Sequence, residues 1–258
     1  MIRIARSSIA TLLALLAVTS TVVAATPSEA LSAQEIVRRV HAAAGGEAWL
    51  AAGSNVMRGH ATLCRDGDPQ RCVTADRYEM YRVYPTELSG AHAGSGKFRL
   101  DAYVGDRPLF QVSFDGVRSY DQHGPVPPER AANDEASGFG FSAIRFALQP
   151  GFTLERLADD QVEGRPCHLV RVTDPGGTRT LFSVDAETWQ VRRAAWQTPK
   201  GWHERVYADF YVIPGTRFVQ PGRVRHYYDG VKSVDIRWTS AEIGTAIPDE
   251  RFVLGPQR

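Results

Sequence analysis

The 258 residues carry 30 basic against 29 acidic side chains, a formal net charge of +1, with 43% hydrophobic residues and three cysteines. That balance excludes the basic field a nucleic-acid binder or a polybasic membrane patch needs, so no nucleic acid is expected as a partner. The apolar content suffices for a sizeable core, and no run beyond the first 25 residues is long enough to span a bilayer.

In chain order, Arg3 and Arg6 precede an uncharged apolar run over residues 9–25 that closes on Val23-Ala24-Ala25. A charged start, an apolar middle and a small-residue end are the layout of a secretory signal peptide. Residues 1–25 are therefore read as a cleaved signal and 26–258 as one mature domain, periplasmic or secreted. A buried N-terminal helix or a single anchor is the alternative. Ser32-Ala-Gln-Glu35 forms a capping box, in which the Ser hydroxyl and the Glu carboxylate satisfy free N–H groups of a helix start. Ile36, Val37, Val40 and Ala44 then recur at helical spacing, and Gly45-Gly46 stops the helix. Residues 47–53 read as a second short helical turn.

From Asn55 the hydrophobic period changes to two. Residues 97–104 are the clearest case, with Phe98, Leu100, Ala102 and Val104 on one face and Lys97, Arg99, Asp101 and Tyr103 on the other. Candidate strands cover residues 56–63, 77–83, 97–104, 109–114 and 117–120, then 154–162, 167–173, 178–184, 190–197, 204–212, 218–228 and 231–243. Short strands separated by turn residues argue for sequential antiparallel pairing. Roughly eleven strands in one sheet exceed what stays open without curling, so the sheet is expected to bend into a half-barrel, with Pro221 and Gly222 marking a bulge. The grammar breaks over residues 121–152, where Phe139, Phe141, Ile144, Phe146 and Leu148 form an apolar, possible helical insert of the kind that covers a core or a site.

Cys64 and Cys72 flank the turn sequence Arg-Asp-Gly-Asp-Pro-Gln-Arg. If the flanking runs pair as a hairpin, the sulfurs face each other and a disulfide is expected; two reduced, half-buried residues are the alternative. Cys167 is left over, and on a strand its side chain points away from that of His168, which argues against a Cys–His nucleophile. The seven histidines show no metal-ligand spacing apart from that adjacent pair, so no metal and no cofactor are expected. Gly90 to Phe98 fails as a phosphate loop because Ser95 stands where the second glycine belongs and Phe98 replaces Ser or Thr. Arg99, Arg171, Arg179, Arg192, Arg193, Arg205, Arg223, Arg225 and Arg237 fall on polar strand faces, where cross-strand ion pairs explain them.

The capped helix ending in Gly-Gly, the meander, the mid-chain insert, the run Phe182-Ser-Val-Asp185-Ala-Glu-Thr-Trp189-Gln-Val-Arg192 and the closing Ile247-Pro-Asp-Glu-Arg-Phe252 together resemble the LolA/LolB-like superfamily of outer-membrane lipoprotein-sorting proteins. The resemblance covers most of the mature chain. It implies an α+β fold that is mainly antiparallel β: a strongly curved half-barrel with helices against its concave face and a cavity between them for acyl chains. On this reading the cavity wall is drawn from Phe98, Leu100, Phe110, Val112, Phe114, Phe182, Val184, Val206, Phe210, Val234, Ile236 and Trp238. Phe139, Phe141, Ile144, Phe146 and Leu148 would serve as its lid. The expected partner is a lipid or lipidated protein, with an inner- or outer-membrane protein as a further candidate. One 16-carbon chain would contribute on the order of 10 kcal/mol gross, at about 0.8 kcal/mol per CH₂. Three alternatives stay open: a dry core with no ligand, a non-catalytic envelope-assembly module, and a hydrolase assembled from distant strands using His60, His168 or His226.

Overall fold

In the computed structural model, which describes residues 31–85, 96–131 and 142–255, Ser32 starts helix α1 (Ala33–Ala44), its Oγ accepting the Glu35 N–H at 3.1 Å. The Glu35 carboxylate turns outward and binds Arg38 at 3.1 Å and Arg39 at 2.9 Å, so half of the expected capping box forms. The helix ends where the Gly45 and Gly46 amides donate back to the Ala42 and His41 carbonyls, and one further turn, α2 (Glu47–Leu50), follows. The expected signal segment, Phe139 and Phe141 lie outside the described residues.

The strands and helix that follow are β1 (Ser54–Cys64), β2 (Cys72–Val83), β3 (Lys97–Val104), β4 (Arg107–Phe114), β5 (Ser119–Asp121) and β6 (Gly124–Pro125), a short helix α3 (Ser142–Phe146), then β7 (Thr153–Arg156), β8 (Asp160–Val162), β9 (Arg165–Thr173), β10 (Arg179–Asp185), β11 (Val191–Thr198), β12 (Gly201–Val212), β13 (Val219–Tyr228) and β14 (Val231–Ile243), with single 3-10 turns at Arg65–Gly67, Pro69–Arg71 and Asp249–Phe252. Among the described residues all the strands pair antiparallel in one open sheet of 14, ordered β6-β5-β4-β3-β2-β1-β14-β13-β12-β11-β10-β9-β7, with β8 also paired to β9. The count corrects the expected eleven. The stretch 154–162 breaks into β7 and β8, which pair with different parts of β9, and Gly124–Pro125 adds a two-residue edge.

Register assigns the faces. Phe98 opposes Phe114, Leu100 opposes Val112 and Ala102 opposes Phe110, so the alternation of β3 and β4 collects apolar side chains on one side. That side carries the main core, in which Ile36, Val37 and Val40 of α1 join Val170, Phe182, Val184, Ile236 and Trp238. The other side is ionic, as expected from the arginines: Arg193 meets Asp160 and Glu204, Arg223 meets Asp235, Arg225 meets Glu163, and Arg237 meets Asp209. The closing motif docks on that ionic side of β3 and β4. Ser113 donates to the Phe252 carbonyl at 2.8 Å, Arg99 to that of Arg251 at 3.0 Å, and Phe252 is fully buried. The bend expected at Pro221-Gly222 sits on the neighbouring strand instead. Asp209 in β12 takes φ 53°, and its carbonyl comes so near residue 222 that any side chain there would collide.

Cys64 lies directly opposite Cys72 and the two form a disulfide, with Cα atoms 4.0 Å apart. Closing so short a loop restricts the unfolded chain by about 2–3 kcal/mol. The Cys64→Ser/Cys72→Ser variant is expected to unfold roughly 5–10 °C earlier than the oxidised protein in calorimetry.

Asp185, in the resemblance run, is buried at the β10–β11 turn. Burial alone would raise its pKa, but Arg165 at 2.5 Å and the amides of Thr188 and Glu187 outweigh it and hold the carboxyl at about 2. The unfolded chain binds this proton near pH 4, so the stabilisation, about 2 kcal/mol, is complete above that pH and is lost as pH falls to about 2. Urea denaturation of Asp185→Asn should therefore show a deficit of about that size at pH 7 that shrinks steadily between pH 4 and 2.

Candidate functional site

A cavity of about 200 Å³ lies between the apolar face of the sheet and α1. Its walls include Phe98 and Leu100 of β3, Tyr78 and Met80 of β2, Met57 of β1, Ile236 and Trp238 of β14, Val224 of β13, Phe210 of β12, and Val40 and Ala44 of α1. β3 and β12 are five places apart in the strand order, about 24 Å on a flat sheet. They can wall one small cavity only because the sheet wraps around it, with α1 on the concave side.

The wall also carries cations. Arg82, Arg145 and Arg205 all line it, and no Asp or Glu stands among the described lining residues. Arg145 follows Ile144 in α3 and is 5% exposed. Its guanidinium lies 4.3 Å from the Trp49 ring and 3.9 Å from the Tyr84 ring, and its Nη1 donates to the carbonyls of Trp49 and Leu50 at the end of α2. Arg82 approaches the same Tyr84 ring at 5.4 Å and is 8% exposed. Burial pushes both guanidiniums below their ordinary pKa, and the positive neighbours add to it: Arg82 acts on Arg145, and Arg205 on Arg82. For Tyr84 burial alone would raise the phenol, yet Arg145, Arg82 and the Asn55 amide together pull it below its ordinary value. Arg205 donates through Nε to His203 Nε2 at 3.1 Å, and His203 Nδ1 donates to the Tyr227 carbonyl. Burial, then Arg205, keeps His203 neutral, with its pKa lowered to about 3. His226 lines the cavity beside them and is likewise held neutral by burial, Arg205 and His203. Gln220 accepts from Asn55 at 3.3 Å and donates to Met57 Sδ at 3.1 Å, which completes a polar corner.

Of the residues expected on the wall, Phe98, Leu100, Phe210, Ile236 and Trp238 line the cavity. Phe110, Phe182, Val184 and Val234 belong to the surrounding core on the same face, and Val112 and Phe114 share that face by register. Val206 does not. It opposes Arg193 and packs with Val162 and Cys167 in a small cluster on the ionic side, because it is Arg205 and Tyr207 that point inward from β12. Arg205, expected on a wet face, is corrected by the same one-residue offset. In the insert, Ile144 is fully buried and Phe146 nearly so, while Leu148 is 41% exposed. The described part of the insert packs against α1, with the Ile144 carbonyl accepting from His41 Nε2 at 2.8 Å. Arg82 was legible in part: it interrupts the apolar alternation Tyr78, Met80, Arg82, Tyr84. Arg145 carried no such signal.

His60 is exposed on β1, His168 stacks on Trp189, and His226 faces the cavity, so the three imidazoles do not form one cluster. Among the described residues no three His, Cys, Asp or Glu side chains converge as for a metal. The Cys167 thiol is buried, which pushes its pKa up to about 11 with the help of the nearby Asp185 carboxylate. Native protein at pH 8 is expected to react with iodoacetamide at Cys167 at least about 100-fold more slowly than protein in denaturant, as followed by mass spectrometry.

No family model matches the sequence, and no curated protein matches it. Solved structures do. A LolA superfamily protein from Nitrosomonas europaea superposes with TM-score 0.53 at 12% identity, covering 87% of this chain and 98% of that one. A domain assigned to outer membrane lipoprotein sorting from Vibrio parahaemolyticus gives TM-score 0.48 at 12% identity over 86% and 95% of the two chains. A DUF1329 family protein from Desulfovibrio piger gives 0.49 at 11% identity over 85% and 95%. At such identities the likeness is one of fold, and the fold is that of the LolA superfamily protein.

Proposed function

We propose, from the LolA-like fold and the cavity under its sheet, that this is an exported, periplasmic carrier that shelters acyl chains of a lipid or lipidated protein. The observation that carries the reading is a largely apolar cavity walled by seven adjacent strands, β3 round to β11, and by residues of α1, α2 and α3. Transfer of a chain from water to such a wall yields about 0.8 kcal/mol per CH₂ with no chemical step. At about 200 Å³ the cavity is smaller than the roughly 300–1,000 Å³ of drug-sized pockets. It therefore takes one chain segment as it stands, and a whole chain enters by displacing side chains of α1 or the insert.

Native mass spectrometry of the protein released gently from its own envelope is expected to show acyl species bound one to one. A bare protein mass, together with no uptake of cis-parinaric acid or its methyl ester, would overturn the reading.

A further inference from the structure

The polar corner of the cavity holds one buried acceptor that has no donor among the described residues. Asn55 lines the cavity from β1 and is 1% exposed. Its Nδ2 has two hydrogens and uses both, on the Tyr84 hydroxyl at 3.4 Å and on Gln220 Oε1 at 3.3 Å. Its Oδ1 is buried and accepts from no described group. Turning the amide over does not cure this. Gln220 Nε2 donates to the Pro221 carbonyl at 3.2 Å, and a carbonyl can only accept, so Gln220 presents Oε1 to Asn55. That oxygen requires an N–H in return, which leaves Asn55 Oδ1 as the open acceptor. A buried acceptor without a donor is costly, and on a cavity wall it is the group a bound molecule can satisfy.

We infer that the cavity takes a lipid chain whose head carries a neutral hydrogen-bond donor, an amide N–H or a hydroxyl, and that this donor binds Asn55 Oδ1. The chain itself lies along the apolar wall of Phe98, Leu100 and Trp238. The inference rests on the carrier reading and adds the chemistry of the head to it. A simple ester or ether brings no hydrogen, so it would bury Asn55 Oδ1 unanswered. A protonated amine is also a donor, but no Asp or Glu stands among the described lining residues to take its charge. Burying an unpaired ion in a largely apolar wall costs far more than one hydrogen bond returns. The neutral donors are what remain.

The test uses two pairs of probes that share the fluorescent cis-parinaric chain, titrated into the purified, delipidated protein. The N-methyl amide is compared with the methyl ester, and cis-parinaryl alcohol with its methyl ether. In at least one pair the donor-bearing member is expected to bind at least about fivefold more tightly than the other, and the pair that discriminates tells amide from hydroxyl. In Asn55→Leu that ratio should fall to about one or below. If all four probes bind and neither pair discriminates, the inference falls and the carrier reading stands. If none binds, both fall. A preference that survives the substitution also overturns the inference, because it places the discrimination elsewhere. The wild-type comparison needs no variant, and Asn55→Ala serves should the leucine variant not fold.

Discussion

Everything in this structure depends on the ladder between the first and last strands. β1 and β14 pair from Asn55 opposite Ile243 to Leu63 opposite Val234, across nearly the whole described chain. The ladder joins two meanders, β1 to β6 and β7 to β14, into a single sheet. Without it Ile236 and Trp238 would not stand beside Ala61 and Gly59, and the cavity would have no floor. The join is also where the backbones come closest. The register slips between Arg58 and Gly59, and a side chain at residue 59 would collide with the Arg237 carbonyl. A bulge of this kind bends and twists the strand, which is what a sheet closing around a helix requires.

Once the sheet curls, its two faces meet different demands. The outer face keeps arginine and carboxylate in alternation, and the pairs there are mostly part-exposed, so they set register and solubility more than stability. The inner face gathers aromatic and aliphatic side chains under α1, and the few polar groups it keeps are bound into local networks, such as Asn55 with Gln220 and His203 with Tyr227. Arg82 and Arg145 line the cavity near Tyr84, with Arg145 also against Trp49 of α2, while the aromatic and aliphatic wall runs along β3 and β14.

The insert between β6 and β7 links cover and charge. α3 supplies Ile144 to the core and Arg145 to the cavity from adjacent positions, and the Ile144 carbonyl is tied to His41 of α1. A movement of α3 would therefore shift Arg145 as well.

Much was determined by the sequence alone, because the signals are local. Alternation in residues 97–104 and 109–114 set the faces of β3 and β4, Ser32 and Gly45-Gly46 bounded α1, and the turn between Cys64 and Cys72 predicted a bridge that the register then formed. The antiparallel, curling architecture followed from strand number and spacing. What only the tertiary structure decided depends on backbone irregularity or on distant partners. The kink at Asp209 and the offset along β12 turned Arg205 inward and Val206 outward, since a shift of one residue exchanges the faces of a strand. The meeting of Arg82 and Arg145 over Tyr84 unites residues from a strand and a helix more than sixty positions apart. No periodicity records that proximity, because it arises when the sheet closes on itself and not from any property of either segment.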